Sequence, residues 1–260
     1  MKKKNEKLTI RPSSISTFVG CNYKWFRQHI LGEPMIPNVR MTAGTAVHKG
    51  AEVGYTEKIK SGSLPPVSVL KDAAIEEFHK KLKEDEPEME DTRPEDWERV
   101  ILTDIDLYKP TMEVTQPKKV EERYEIPLGS PVVEKVAGTA DIVLDGAIAD
   151  IKTTARKAVP THYTLQLSVY ALLASRVDNE DYTKAIIHNI VHEKAVHVLP
   201  LRLNVPQARF VVNTLIDKIE AYYNDAAPAE VLFSGNPASP LCSEKYCNYY
   251  KVCPFVCGTI

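Results

Sequence analysis

The stretch "GTADIVLDGAIADIK", residues 138–152, decides how the chain is read. Asp145-Gly146 is a strong two-residue hairpin signal between two apolar runs. A turn there sets Leu144 against Ala147, and carrying the pairing outward brings Asp141 opposite Asp150. Side chains alternate along a strand, so Lys152 shares the face of Asp150 while Ile151 points into the core. Directly opposed residues have Cβ atoms about 4.5–5.5 Å apart, and like charges there repel. A shared divalent cation would offset that repulsion, and hard oxygen donors suit Mg2+ or Mn2+. The neighbouring lysine suits orienting or deprotonating an attacking water. The plainer alternative is a pair of edge acids neutralised by Lys152.

The remainder of the chain bounds the choice. With 260 residues, 43% hydrophobic and 26% charged, it is long enough for one large domain or two small ones. A net charge of −2 gives no global basic field, so any nucleic-acid contact must be a local patch. The basic start "MKKKNEKLTI" is not followed by the apolar region of a signal peptide. No apolar run approaches the roughly 18–20 residues of a membrane span. A cytoplasmic protein without a membrane partner is expected. Of five cysteines, Cys242, Cys247, Cys253 and Cys257 crowd the tail and Cys21 stands near the start. In a reducing compartment such a cluster is more often a metal site than a disulfide framework.

Periodicity predicts a helix capped by Ser14 and running through Trp25 and Phe26, then helices over Ala43–Lys60, Val69–Lys83 and Trp97–Tyr108. The acidic segment Glu84–Asp96 reads as a solvated loop. From Val120 the period becomes strand-like through "VEERYEIPL", "EKVAGTADIVL" and "AIADIKT". A helix over Tyr163–Ala174, two strands ("AIIHNIV" and "AVHVLPLRL") and a helix over Pro206–Tyr223 lead into the cysteine-rich tail. The expected architecture is an α/β core with helical additions.

Further residues gather round the hairpin. His48 and Glu52 are four apart, as are Gln166 and Tyr170, so each pair shares one helix face. Alone, the first is better explained by a surface or core histidine and the second by a helix with a polar stripe. In order, G-x-x-x-H (Gly44–His48), G-T-A-D (Gly138–Asp141), D-I-K (Asp150–Lys152) and Q-x-x-x-Y (Gln166–Tyr170) resemble the RecB-type branch of the PD-(D/E)xK nucleases. "SISTFVGCNYKWF" and "CSEKYCNYYKVCP" resemble the early and late cysteine elements of its iron–sulfur members, which include CRISPR-associated RecB-like exonucleases and phage nucleases. The resemblance spans Ser14 to Cys253.

It implies a restriction-endonuclease-like α/β core, with a mixed, largely antiparallel sheet flanked by helices. N-terminal helices (1–115), a nuclease core (116–225) and a cysteine-rich iron–sulfur tail (226–260) would form a single nuclease domain. Asp141, Asp150, the Ile151 carbonyl and His48 would hold Mg2+ or Mn2+. Lys152 would act on the attacking water, and Gln166 and Tyr170 would orient the lysine or the phosphate. These side chains are expected to face a solvent-accessible cleft. Cys21, Cys242, Cys247 and Cys253 would hold a 4Fe–4S cluster. Two departures stand out: the first late spacing is C-x4-C where many members have C-x2-C, and Cys257 is an extra cysteine that could replace one of the trio. A zinc site made from the four tail cysteines is the alternative. Lys49, Arg156 and Lys157, with Lys24 and Arg27, are candidate contacts to the DNA backbone.

The implied activity is metal-dependent exonuclease action on DNA ends, single-stranded or duplex, in recombination, repair, phage replication or CRISPR spacer processing. A helicase or a recombination or CRISPR adaptation factor would be a partner, and a homo-oligomer is a candidate assembly. A non-catalytic DNA-end-binding module of the same fold, with a structural iron–sulfur or zinc site, is the competing reading. A non-nuclease metal protein with incidental hairpin acids is a third.

Overall fold

The computed structural model describes residues 7–33, 35 and 37–257. A mixed sheet lies at its centre. It contains β1 (Leu8–Ile10), β2 (Lys119–Pro127), β3 (Val133–Leu144), β4 (Ala147–Thr154), β5 (Lys184–Val191) and β6 (Ala195–Leu201). The strand order is β1-β3-β4-β5-β6, with β2 also on β3. Pairs β2–β3, β3–β4 and β5–β6 are antiparallel, whereas β1–β3 and β4–β5 are parallel. The hairpin forms as read: Leu144 pairs with Ala147, Val143 with Ile148 and Ile142 with Ala149. Gly146 supplies the left-handed turn residue, with φ 63°.

β3 is the hub. β2 covers one of its edges from Lys135 to Val143. The other edge is divided between β1, against Val133–Val136, and β4, against Ile142–Leu144. The two partners part around Gly138–Asp141. Pro12 and Tyr170 close on Gly138, where an added Cβ would lie 2.7 Å from Pro12 Cδ and 2.9 Å from Tyr170 Cε1.

Alternation along these strands feeds two cores. Helices α3 (Val39–Ser61), α4 (Val67–Asp85) and α5 (Pro94–Val114) cover Ile142, Ala149, Ile151 and Ile190 on one face. Helices α1 (Ile15–Gly20), α2 (Asn22–His29), α6 (Thr164–Asp178) and α7 (Val205–Tyr223) cover Val143, Ile148 and Ile187 on the other. Each large apolar side chain buried in these layers is worth about 1.5–3 kcal/mol.

Several helices run longer than periodicity predicts, because their ends are satisfied by residues outside the apolar pattern. Asn38 starts α3 by accepting from Met41 N, so the helix begins at Val39, four residues ahead of Ala43. Pro94 starts α5, and Lys58 of α3 finishes it, donating from Nζ to the carbonyls of Met112, Glu113 and Thr115 at 2.9, 2.6 and 2.7 Å. The acidic connection between α4 and α5 shortens to residues 86–93.

The single N-terminal helix expected from a Ser14 cap is instead two helices. Ser14 belongs to a 3-10 turn; its hydroxyl donates to Arg11 O at 2.8 Å and accepts from Trp25 Nε1 at 3.1 Å. Cys21 is extended, with φ −162° and ψ 106°, and separates α1 from α2. The tail folds back over this break. Fully buried Phe233 stacks on Phe26 at 4.9 Å, Tyr23 N donates to Ser234 O at 3.1 Å, and Asn236 Nδ2 donates to Gly20 O at 3.0 Å. Arg27 is bidentate to Glu33 at 2.7 and 2.8 Å and lies over the Tyr249 ring, so this candidate DNA contact is engaged in docking the tail. Lys24 Nζ lies 3.5 Å from Tyr246 O, beside the same tail. Among the described residues no helix is long and apolar enough to cross a membrane.

Gly138→Ala should destabilise the chain by about 1–3 kcal/mol, because the rigid Pro12 ring and the Tyr170 ring meet the new methyl. Urea denaturation checks this, and a parental midpoint would show that the gap yields.

Candidate metal centre and active site

The site sits where β1 and β4 separate. Beyond Ile142–Ala149 the β3–β4 ladder stops, and the Asp141 side chain takes over: its Oδ2 accepts from Ile151 N at 2.7 Å. The expected Asp141–Asp150 opposition is therefore modified. Asp141 grips the main chain one residue beyond Asp150, and β4 is held at the fork by a carboxylate. His48 reaches in from α3, with Nδ1 at 3.4 Å from Asp141 Oδ2. Gly44, one turn earlier, allows this approach: a Cβ there would lie 2.7 Å from Thr153 Oγ1 on β4.

Asp150 and Lys152 share a face, as strand alternation requires. Lys152 Nζ lies 3.0 Å from Asp150 Oδ1, a hydrogen bond, and 2.8 Å from Oδ2. Gln166 of α6 donates from Nε2 to Asp150 Oδ1 at 3.3 Å. Asp150 is only 3% exposed, and its Oδ2 makes no hydrogen bond despite the nearby ammonium. The expectation of an open cleft fails at this carboxylate, because α6 covers it with Gln166. Lys152 also lies over the Tyr163 ring, at 5.5 Å. Tyr170, 7% exposed, packs its ring against Gly138. The Ile151 side chain is buried in the α3–α5 core.

Glu121 of β2 was not anticipated. Ligand atoms of His48, Glu121 and Asp141 all lie within 4.8 Å of one another; Asp150 is not in this set. Asn189 of β5 was also missed. Fully buried, it donates to Lys152 O at 3.1 Å and Thr154 Oγ1 at 2.7 Å and accepts from Ala158 N at 2.7 Å. It thereby pins the loop carrying Arg156 and Lys157, both exposed. Lys49, by contrast, is paired with Glu52 at 2.8 Å. A groove lined by Arg40, His48, Lys49, Glu121, Asp141 and Thr154 runs along these elements.

The electrostatics are those of crowded acids. Burial first, then Asp141 and Glu52, push the Glu121 carboxyl up to about 7. Burial also raises Asp150; Lys152 offsets part of that rise and Asp141 adds to it. Burial alone would weaken the Lys152 ammonium, but Asp150 and Asp141 more than compensate and leave it above its ordinary value. Lys152 is therefore a cation in the metal-free chain. Burial, then Asp141 and Asp150, raise the Tyr170 phenol, which stays protonated. The converging nitrogen and oxygen donors of His48, Glu121 and Asp141 fit a hard divalent cation.

A second cluster lies where the tail meets the α1–α2 break. Cys21, Cys242, Cys247 and Cys253 line one cavity, along with Tyr23, Tyr249 and Phe255. Cys257 is exposed, and its Sγ is 3.3 Å from Lys251 O.

Comparison with known proteins agrees with this architecture. The family model of the PD-(D/E)XK nuclease superfamily matches residues 9–254, and the chain belongs to that superfamily. Among solved structures, the fold is similar to that of a candidate exonuclease from Eubacterium rectale. The TM-score is 0.53 at 13% identity, over 86% of this chain and 85% of that one. A weaker likeness, to SSO0001, has a TM-score of 0.44 at 16% identity, over 98% of this chain and 90% of that one. No curated protein matches the sequence.

The two raised carboxyls make stability depend on pH in chelator-treated protein. Glu121 and Asp150 bind protons more tightly in the folded chain than in the unfolded one. The associated stability is complete below about pH 4, and it is lost as pH rises toward about 7. Asp150→Asn should flatten the fall in urea midpoint across that window. A slope equal to the parent's would show that Asp150 does not titrate there.

Proposed function

We propose that the protein is a metal-dependent deoxyribonuclease of the RecB-like branch, acting as an exonuclease at DNA ends. The observation that carries this reading is the D-I-K pair: Asp150 is buried beside Lys152, with Oδ2 lacking a hydrogen bond, next to the His48–Asp141 contact. His48, Asp141, Asp150 and the Ile151 carbonyl would hold Mg2+ or Mn2+. When bound, the ion polarises the scissile phosphate and lowers the pKa of the attacking water.

The chain's own groups supply the remainder. The Ile151 N–H holds Asp141 in place, and Gln166 holds Asp150. Lys152, a cation fixed by Asp150, orients the water and offsets charge developing on the phosphate. The protonated Tyr170 phenol is a donor for a phosphate oxygen. Arg156 and Lys157, on the loop pinned by Asn189, contact the backbone without reading sequence. Lys49 joins them only by leaving Glu52. Release of DNA ends by a helicase or a recombination or CRISPR adaptation partner would supply the substrate.

Labelled single- and double-stranded DNA incubated with Mn2+ tests the activity. Lys152→Ala should lower turnover by about 10²–10⁴-fold while leaving Mn2+ affinity intact or tighter. Asp150→Ala should weaken the metal as well. Binding of DNA ends without cleavage would favour the non-catalytic module, and a Lys152→Ala variant cutting at the parental rate would overturn the assigned role.

For the second cluster, we infer a 4Fe–4S group on Cys21, Cys242, Cys247 and Cys253. The support is the shared cavity, which includes Cys21 and leaves out Cys257. Its role is structural, stapling the tail to the α1–α2 break. Anaerobically purified protein should be brown, with about four irons per chain. Cys257→Ser should keep the colour and Cys21→Ser should lose it. Colourless protein with one zinc, indifferent to Cys21→Ser, would exclude the cluster.

A further inference from the structure

Glu121 lies outside the four short motifs quoted above, G-x-x-x-H, G-T-A-D, D-I-K and Q-x-x-x-Y. We propose that it is a further side-chain ligand of the divalent cation, added to His48, Asp141 and Asp150 and grouped with the first two; this rests on the metal-dependent reading above. Val120–Ile142 and Glu122–Ala140 pair on either side of it, which sets Glu121 directly across from Asp141. That pair itself drops out of the ladder. The cause is local: Glu121 has φ 48°, the left-handed region. Among the described residues the other non-glycine residues with positive φ lie at turns or helix ends, and Glu121 alone adopts it inside a strand. An L-residue takes that conformation at an energetic cost, and such residues gather at functional sites.

The distortion places the Glu121 carboxylate with the Asp141 carboxylate and the His48 imidazole, ligand atoms within 4.8 Å of one another. Lys49 offsets that placement only in part. Among the described residues the Glu121 side chain makes no hydrogen bond and no ion pair, and Lys49, which lines the same groove, is committed to Glu52 at 2.8 Å. Two carboxylates brought together by a strained backbone, with no cationic side chain fixed on Glu121, are relieved by a proton or by a cation from solution, and the converging His48 nitrogen favours the cation. Asp150 differs: Lys152 and Gln166 already hold it. Glu121 and Asp150 therefore flank Asp141, the first free for the ion alone and the second facing both the ion and the lysine.

Calorimetric titration of Mn2+ into the purified full chain, without DNA, tests this in the parent, Glu121→Gln, Glu122→Gln and Asp141→Asn. Glu121→Gln should weaken binding by about tenfold or more. Glu122→Gln, the next residue on the strand and outside the ligand set, should leave it unchanged. Melting in chelator supplies a second readout that a merely structural role would not produce. Glu121→Gln should melt above the parent, because one of two repelling charges is gone, and it should lose most of the Mn2+-induced rise in Tm. Parental Mn2+ affinity in Glu121→Gln, with binding lost in Asp141→Asn, overturns the ligand role of Glu121 alone. If the parent takes up no Mn2+, the metal-dependent reading falls and this proposal falls with it.

Discussion

One carboxylate does the work of a missing strand. β3 offers more edge than β1 or β4 fills, and where the two partners separate the Ile151 N–H needs an acceptor. Asp141 Oδ2 supplies it at 2.7 Å. The same oxygen lies 3.4 Å from His48. Closing the sheet and building the site are thus one interaction. The glycines around it follow from that closeness: Gly138 admits Pro12 and Tyr170, and Gly44 admits Thr153. A fork in a sheet is a natural cleft, because the elements that would cover it have already diverged.

The charges divide into two groups across this fork. Asp150 is buried, and Lys152 and Gln166 compensate it in part. Such a pair is costly to desolvate and adds little stability by itself; its retention in a buried position makes sense as prepared chemistry. Asp141 and Glu121 form the other group, beside His48, with the Ile151 N–H on Asp141 and Lys49 near Glu121. In the proposed reaction, fixed acids on one side and a fixed ammonium on the other would form a preorganised field that need not rearrange.

The hairpin half of this arrangement was legible because Asp145-Gly146 specifies a register by itself, and register determines which residues face each other. That turn brought Asp141, Asp150 and Lys152 together, although their roles came from the family resemblance and Asp141 meets Ile151 N rather than standing opposite Asp150. Glu121 did not, although "KVEERYEIP" reads plainly as a strand. The connection from β2 to β3 contains no two-residue turn, so nothing local says which acid of that strand meets Asp141. A positive φ at a glutamate also leaves no mark in composition. Asn189 was hidden for a different reason: an amide within "AIIHNIV" reads as an imperfection in a buried strand until its three backbone and hydroxyl partners are seen. The two-helix N-terminus was missed because Cys21 sits inside an apolar period that continues across the break. Helix lengths were underestimated wherever the cap was a distant residue, as with Lys58 on the end of α5.

The return of the tail onto the first helices also bears on synthesis. Trp25 and Phe26 lie against Phe233, and the groups left open by the α1–α2 break meet Ser234 and Asn236. Residues made early thus wait for partners made roughly two hundred positions later, while the α3–α5 layer and the sheet assemble between them. Contacts that far apart in sequence close slowly, since the chain must first surrender the entropy of the long loop. On the ribosome, the aromatic cluster of Trp25 and Phe26 stays uncovered until the segment around Phe233 has been made. That makes it a natural surface for chaperones and a point at which an incompletely made chain differs from a finished one.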